Sequence, residues 1–161
     1  MQHISIYKDA FKIDIQTRYS DFDMVQHLNN TAYLNYIELA RADAFTHVMK
    51  LDTKIHTGLA VNVSINYKRP IQYGMPVSIL MRFIKVKGVS NLLYFEFVNS
   101  NDLSDVYAVA EMTQVLFDIK KQKPIPVSAY IKAYAENLQL NKESDFIADV
   151  SLIQRKIEDV T

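Results

Sequence analysis

FKIDIQTRYSDFDMVQHLNNTAYLNYIELARADAFTHVMK, Phe11 to Lys50, changes its apolar period part-way along, and that change decides the fold. Phe11, Ile13, Ile15 and Tyr19 alternate with Lys12, Asp14, Gln16 and Arg18, which predicts a strand with one buried face. From Asn30 to about Lys50 there is no glycine or proline, and Tyr33, Tyr36, Ile37, Ala40, Ala44 and Val48 recur at helical spacing. This predicts one long helix. Leu34, Leu39, Phe45 and Met49 widen its apolar face beyond a surface stripe, so the rest of the chain has to cover it on more than one side.

Downstream, Leu59, Val61, Val63, Ile65 and Tyr67 alternate with Ala60, Asn62, Ser64 and Asn66. That strand stops at Lys68-Arg69-Pro70, because proline has no N–H for a ladder. Val77 to Val86 and Leu92 to Val98 read as strands separated at Gly88, and Tyr107 to Ile119 follows a polar turn from Asn99 to Asp105. Strands without helices between them pair antiparallel, and the Asn30 helix is what can cover their apolar face. The expected class is α+β. Ile131, Tyr134 and Leu138, then Phe146, Val150, Ile153, Ile157 and Val160, predict two amphipathic tail helices that pack on the sheet or on a partner. Residues 1–127 are therefore expected to form the main domain and residues 128–161 a helical extension of it.

Composition narrows the function. A chain of 161 residues is long enough for a real core without staples. Eighteen basic and 18 acidic side chains give a formal charge of zero, with no basic stripe to follow a phosphate backbone. Nucleic acid is not an expected partner. Cysteine is absent, so disulfides, thiolate metal sites and a cysteine nucleophile are excluded together. The glycines, Gly58, Gly74 and Gly88, lie too far apart for a dinucleotide fingerprint or a phosphate-cradling loop. No cofactor or metal is expected. No stretch has the length of a signal peptide's apolar core or of a membrane span, which predicts a cytoplasmic protein with no membrane partner.

The segment between the first strand and the helix concentrates chemistry. Asn29 and Asn30 are natural helix caps, and they place the first-turn amides and the positive end of the helix dipole next to Asp23 and His27. An acid, an imidazole and free amide donors suit attack on a carbonyl compound: the amides hold the oxygen that turns negative, and the carboxylate attacks or deprotonates water. Each residue also has an ordinary role. Asp23 serves in turns, His27 in structural hydrogen bonds, Tyr33 in a core, and Glu38 with Arg41 as a surface ion pair.

The run RYSDFDMVQHLNNTAYLNYIELAR, Arg18 to Arg41, resembles the signature of the 4-hydroxybenzoyl-CoA thioesterase-like branch of the hotdog superfamily. An aromatic residue precedes Asp-x-Asp, then a His-x-Asn-Asn motif and a tyrosine lead into a helix. Tyr67, Pro70 and Gly74 match a later family segment. The resemblance covers about residues 8 to 128 and implies a helix wrapped by an antiparallel sheet of about five strands. It also implies subunits paired edge to edge as a homodimer or homotetramer, and acyl groups on coenzyme A or acyl-carrier protein as substrates.

Asp23 matches the family's catalytic acid, as nucleophile or as base for water, and His27 matches the histidine of the Gly-His-x-Asn-Asn subgroup. The amides near Gln26 and His27 are then expected to hold the thioester oxygen. Asn30 and Tyr33 would shape the site, and Lys68 and Arg69 would meet the phosphates of the substrate's arm. Three positions depart from family patterns. Gln26 stands where a glycine is common, Val25 replaces an asparagine of the plant acyl-ACP enzymes, and Asn30 replaces a histidine of another branch. A hotdog protein that binds acyl-CoA without turning it over, in a regulatory role, is the alternative expectation; the His and Glu motifs of the dehydratase branch have no match.

Overall fold

In a computed structural model the protein is described over residues 4–7, 10–48 and 51–127. The expected tail helices of residues 128–161 lie outside these. The alternating segment at the start forms β2, Ala10–Ile15, and β1, Ile4–Tyr7, pairs antiparallel with it. A loop then leads to α1, Asn30–Asp43, which continues into a π-turn at Ala44–Val48. The predicted helix thus has nearly its expected length, with a change of winding near its end. Four strands follow: β3, His56–Tyr67; β4, Val77–Lys87; β5, Ser90–Asn99; and β6, Asp102–Asp118. A two-residue strand, β7 at Lys123–Pro124, joins β6.

The strand order is β1-β2-β4-β5-β6-β3, and all neighbours are antiparallel. This is the α+β hotdog arrangement that the resemblance implied, enlarged by the short strands β1 and β7. The inner face of the sheet presents Leu93, Phe95 and Phe97 from β5 and Ala108, Ala110 and Met112 from β6, all buried against α1. From the helix come Tyr33, Tyr36, Ile37 and Ala40. Each fully buried large aliphatic or aromatic side chain contributes about 1.5–3 kcal/mol of transfer free energy, so this layer dominates the stability. No described helix is long and apolar enough to cross a membrane.

One register feature departs from the sequence pattern. β3 was expected to bury Leu59, Val61, Val63, Ile65 and Tyr67 on one face. A bulge between Ala60 and Asn62 breaks the β3–β6 register, and two-residue alternation changes face across such an insertion. Val63 and Ile65 pack against the core, whereas Leu59 is 47% and Val61 66% exposed. β3 is also the edge strand, so these apolar side chains lie along an open ladder.

Ile37 has no exposed surface in the centre of the helix–sheet layer. Ile37→Ala removes its branch from that contact and should lower the unfolding free energy by about 2–5 kcal/mol, measured as a reduced midpoint in urea. A loss under about 1 kcal/mol would show that the layer is loosely packed there.

Candidate active site

The loop from β2 to α1 is built around two aspartates with opposite fates. Asp21, at the end of a 3-10 turn over Tyr19–Asp21, is 8% exposed. Its carboxylate accepts from the Arg18 amide at 2.9 Å, from the Arg18 guanidinium at 3.1 Å and, in a short bond, from the Tyr36 hydroxyl on α1. Burial opposes its charge, but these donors outweigh the burial and hold the Asp21 pKa below the usual carboxylate value. Burial and the bond to Asp21 push Tyr36 up. Tyr73 fastens the other side of the loop, with its ring edge-on to Tyr19 at 5.5 Å and to Phe22 at 5.3 Å.

Asp23, two residues on, is exposed. Its Oδ1 accepts from the Val25 amide at 2.9 Å and the His27 amide at 3.0 Å, and its own amide donates to the His27 carbonyl. Oδ2 has no partner among the described residues. The turn closes through Gln26, whose φ of 61° lies in the left-handed region that favours glycine, at the position where a glycine is common in the family. The Gln26 backbone therefore takes the conformation a glycine would take there, with a side chain carried at some steric cost.

This geometry corrects one expectation. The amides near Gln26 and His27 do not stand free for a thioester oxygen. The Gln26 amide donates to the Asp23 carbonyl at 3.0 Å, and the His27 amide is taken by Asp23 Oδ1. A helix leaves its first amides without intrahelical acceptors, and here Asn29 caps the Thr31 amide while the Ala32 amide turns back to the Asn29 carbonyl. The Asn30 amide is left with no acceptor among the described residues. Asn30 thus offers its backbone as well as its side chain, and its amide is one of the first-turn donors expected from the caps.

Six of the seven expected site residues line one cleft of about 410 Å³: Asp23, His27, Asn30, Tyr33, Lys68 and Arg69. Gln26 does not line it. Leu28, Tyr67 and Pro70 complete the wall, and sequence reasoning had not placed Tyr67 in the site. Tyr33 is buried between the rings of Tyr67 at 4.9 Å and Phe97 at 5.0 Å. Burial, helped by Tyr67, pushes its pKa up to about 12, so it remains a neutral phenol. The two cations differ. Arg69 is ion-paired with Asp105 and stacked over Tyr107 at 4.4 Å, while the exposed Lys68 has no acidic partner among the described residues.

Residues 17–135 match the Thioesterase-like superfamily, a span that takes in this loop, the helix and strands β3 to β7. The chain belongs to that superfamily. A curated relative, the long-chain acyl-CoA thioesterase FadM of Escherichia coli K12, is 28% identical over 127 residues, which are 77% of this chain and 96% of FadM. Among solved structures, YbaW, a probable thioesterase from Escherichia coli, superposes with a TM-score of 0.65 at 26% identity, covering 78% of this chain and 96% of YbaW. The PA5185 protein of Pseudomonas aeruginosa shares the fold, with a TM-score of 0.71 at 18% identity over 83% of this chain and 96% of its own. The matched span includes the loop and helix start where this chain gathers Asp23, His27 and Asn30.

The lowered Asp21 pKa sets a direction for acid stability. Its contribution is complete above the ordinary carboxylate pKa of about 3.9 and is lost as pH falls through the lower folded value. Between neutral pH and strong acid the wild type should therefore lose more stability than Asp21→Asn, read from urea midpoints at a series of pH values. Parallel losses would show that Asp21 does not anchor the loop through its charge.

Proposed function

We propose that the chain hydrolyses acyl thioesters, with coenzyme A or acyl-carrier protein as the thiol, and that Asp23 is the catalytic carboxylate. The observation that carries this reading is the divided engagement of that side chain. Oδ1 is pinned by two amides while Oδ2 has no partner among the described residues, and the same cleft is lined by Asn30, whose amide also has none among them. A held carboxylate oxygen beside a fixed N–H donor is a preorganised pair, because neither has to be ordered at the moment of reaction. Membership of the superfamily and the likeness to FadM support the same chemistry.

In the water route, Oδ2 accepts a proton as the water oxygen adds to the thioester carbon. The carbonyl oxygen becomes negative against the Asn30 amide, a contact worth about 3 kcal/mol. The intermediate then collapses with cleavage of the C–S bond, and the proton on Asp23 passes to the departing sulfur, leaving acid and free thiol. In the nucleophilic route, Oδ2 itself adds and expels the thiolate, and water opens the resulting anhydride. His27 lines the cleft half-buried, which supports its serving the leaving sulfur as a second group. Lys68 supplies the cleft's uncompensated positive charge for the phosphates of the pantetheine arm, and Arg69, neutralised by Asp105, shapes the rim. A second copy pairs along β3, whose open edge and exposed Leu59 and Val61 favour strand addition, as a homodimer or as the unit of a homotetramer.

One observation favours the binding-only alternative. The Val25, Gln26 and His27 amides are all taken up by Asp23, which leaves Asn30 as the loop residue whose amide has no acceptor among the described residues. Thiol release from a series of acyl-CoA compounds separates the readings. Wild type should turn over, and Asp23→Asn should lose about 100-fold or more in kcat with KM little changed. Undiminished release by Asp23→Asn removes the acid from the mechanism, and tight binding without release selects the acyl-binding protein.

A further inference from the structure

The proposed reactive pair is divided between two elements. Asp23 belongs to the loop that leaves β2, and the Asn30 amide belongs to the first turn of α1. The pair works only while loop and helix keep one relation, and Asp21 joins the two. Its carbonyl accepts at 2.8 Å from the amide of Asn29, the residue before Asn30. Its carboxylate Oδ2 accepts from the Arg18 amide and, in the short bond, from the Tyr36 hydroxyl in the second turn of the helix. One residue is thus tied by its main chain to the helix cap and by its side chain to the helix body, and Asp23 follows two positions later.

Tyr36 is the far end of this tie. It is 4% exposed and belongs to the helix–sheet core. It does not line the Asp23 cleft; with Gln16, Arg18, Asn35 and Leu39 it lines a separate groove of about 530 Å³. The bond it makes keeps a carboxylate buried, and apolar side chains often replace a buried charged cluster without loss of stability. Adhesion of the loop to the helix therefore does not account for it. A charge-assisted hydrogen bond adds direction, because it holds its two ends to a narrow range of distance and angle, which apolar contact does not.

We infer that Tyr36, acting through Asp21, is a positioning residue that holds Asp23 at its working distance from the Asn30 amide. This rests on the thioester reading of the Asp23 cleft. A reacting pair gains from being ordered in advance, and a displacement of about 1 Å costs about 100-fold in rate. Without the hydroxyl, Asp21 keeps only Arg18, whose side chain is 71% exposed, and the loop is free to shift against the helix. The wall formed by Tyr33, Tyr67 and Pro70 stays in place, so substrate binding is retained.

The test uses Tyr36→Phe, which keeps the ring, and Asp21→Asn, which keeps the shape and removes the charge, each alone and on the Asp23→Asn background. Thiol release from acyl-CoA compounds is measured with kcat and KM separated. Each single change should lower kcat about tenfold or more with KM within about twofold. On the Asp23→Asn background the same changes should cost under about threefold, because the carboxylate they position is gone. Equal fold losses on both backgrounds, or a loss confined to KM, mark a merely structural role and overturn the inference. Hydrogen exchange reads the tie without substrate. The Val25 and His27 amides, which donate to Asp23 Oδ1, should exchange about tenfold faster in Tyr36→Phe and in Asp21→Asn while the amides of β5 keep their rates. Unchanged exchange at Val25 and His27 overturns the inference as well, and Asp21→Asn keeps it open to refutation where Tyr36→Phe does not fold. If wild type hydrolyses none of the compounds, the hydrolase reading fails, and the exchange rates decide separately whether Tyr36 holds the Asp23 turn.

Discussion

A carboxylate taken out of water has to be surrounded by donors, and the loop before the helix is organised around that requirement at Asp21. The charge is met by the Arg18 amide and guanidinium from the chain leaving β2 and by the Tyr36 hydroxyl from the second turn of α1. Breaking one partner of such a cluster leaves an uncompensated buried charge, so the three residues move as a unit. Strand end, turn and helix are thereby held in one relation, and everything between them inherits it. Asp23 is two residues from this anchor, and its own bonds to the Val25 and His27 amides fix the remaining freedom of the loop.

The molecule is closed on one side and open on the other. Towards β2 and β4 the layer is sealed by Phe11, Ile13, Ile79 and Met81, none more than 1% exposed, with the Phe11 and Phe83 rings in edge contact. Towards β3 the helix leaves a seam of half-buried Val63 and Ile65 and exposed Tyr67 and Leu34. The cleft lies on this open side, at the helix start, where Tyr33 meets Tyr67. Burial is deepest where the sheet continues and shallowest where it ends.

Much of this was legible in the sequence because it depends on local rules. The paired asparagines marked the helix start, and Asn29 does cap it through the Thr31 amide. Alternation located β2 and β3, the turns around Gly74, Gly88 and Asn99 to Asp105 delimited β4, β5 and β6, and Pro70 ended β3 just past its last residue, Tyr67. Six of the expected site residues share the cleft. What was hidden depends on partners distant in the chain. The bulge that turns Leu59 and Val61 outward is a mismatch with β6, and alternation within β3 gives no sign of it. The resemblance singled out Asp23 of Asp-x-Asp, but that Arg18 and Tyr36 bury Asp21 beside it is visible only in the fold. The glycine-like twist at Gln26 and the uptake of the nearby amides by Asp23 appear only once the turn is closed.

The central claim is that Asp23 Oδ2 reaches the carbonyl carbon of a thioester bound at the helix start. The most direct measurement is a crystal structure of the full chain with an acyl-CoA analogue whose thioester sulfur is replaced by methylene, so that the carbonyl survives. The account predicts that carbonyl carbon within about 3–3.5 Å of Asp23 Oδ2, or one water away, with its oxygen on the Asn30 amide. A carbonyl bound elsewhere, with Asp23 contacting only its own turn, would contradict it.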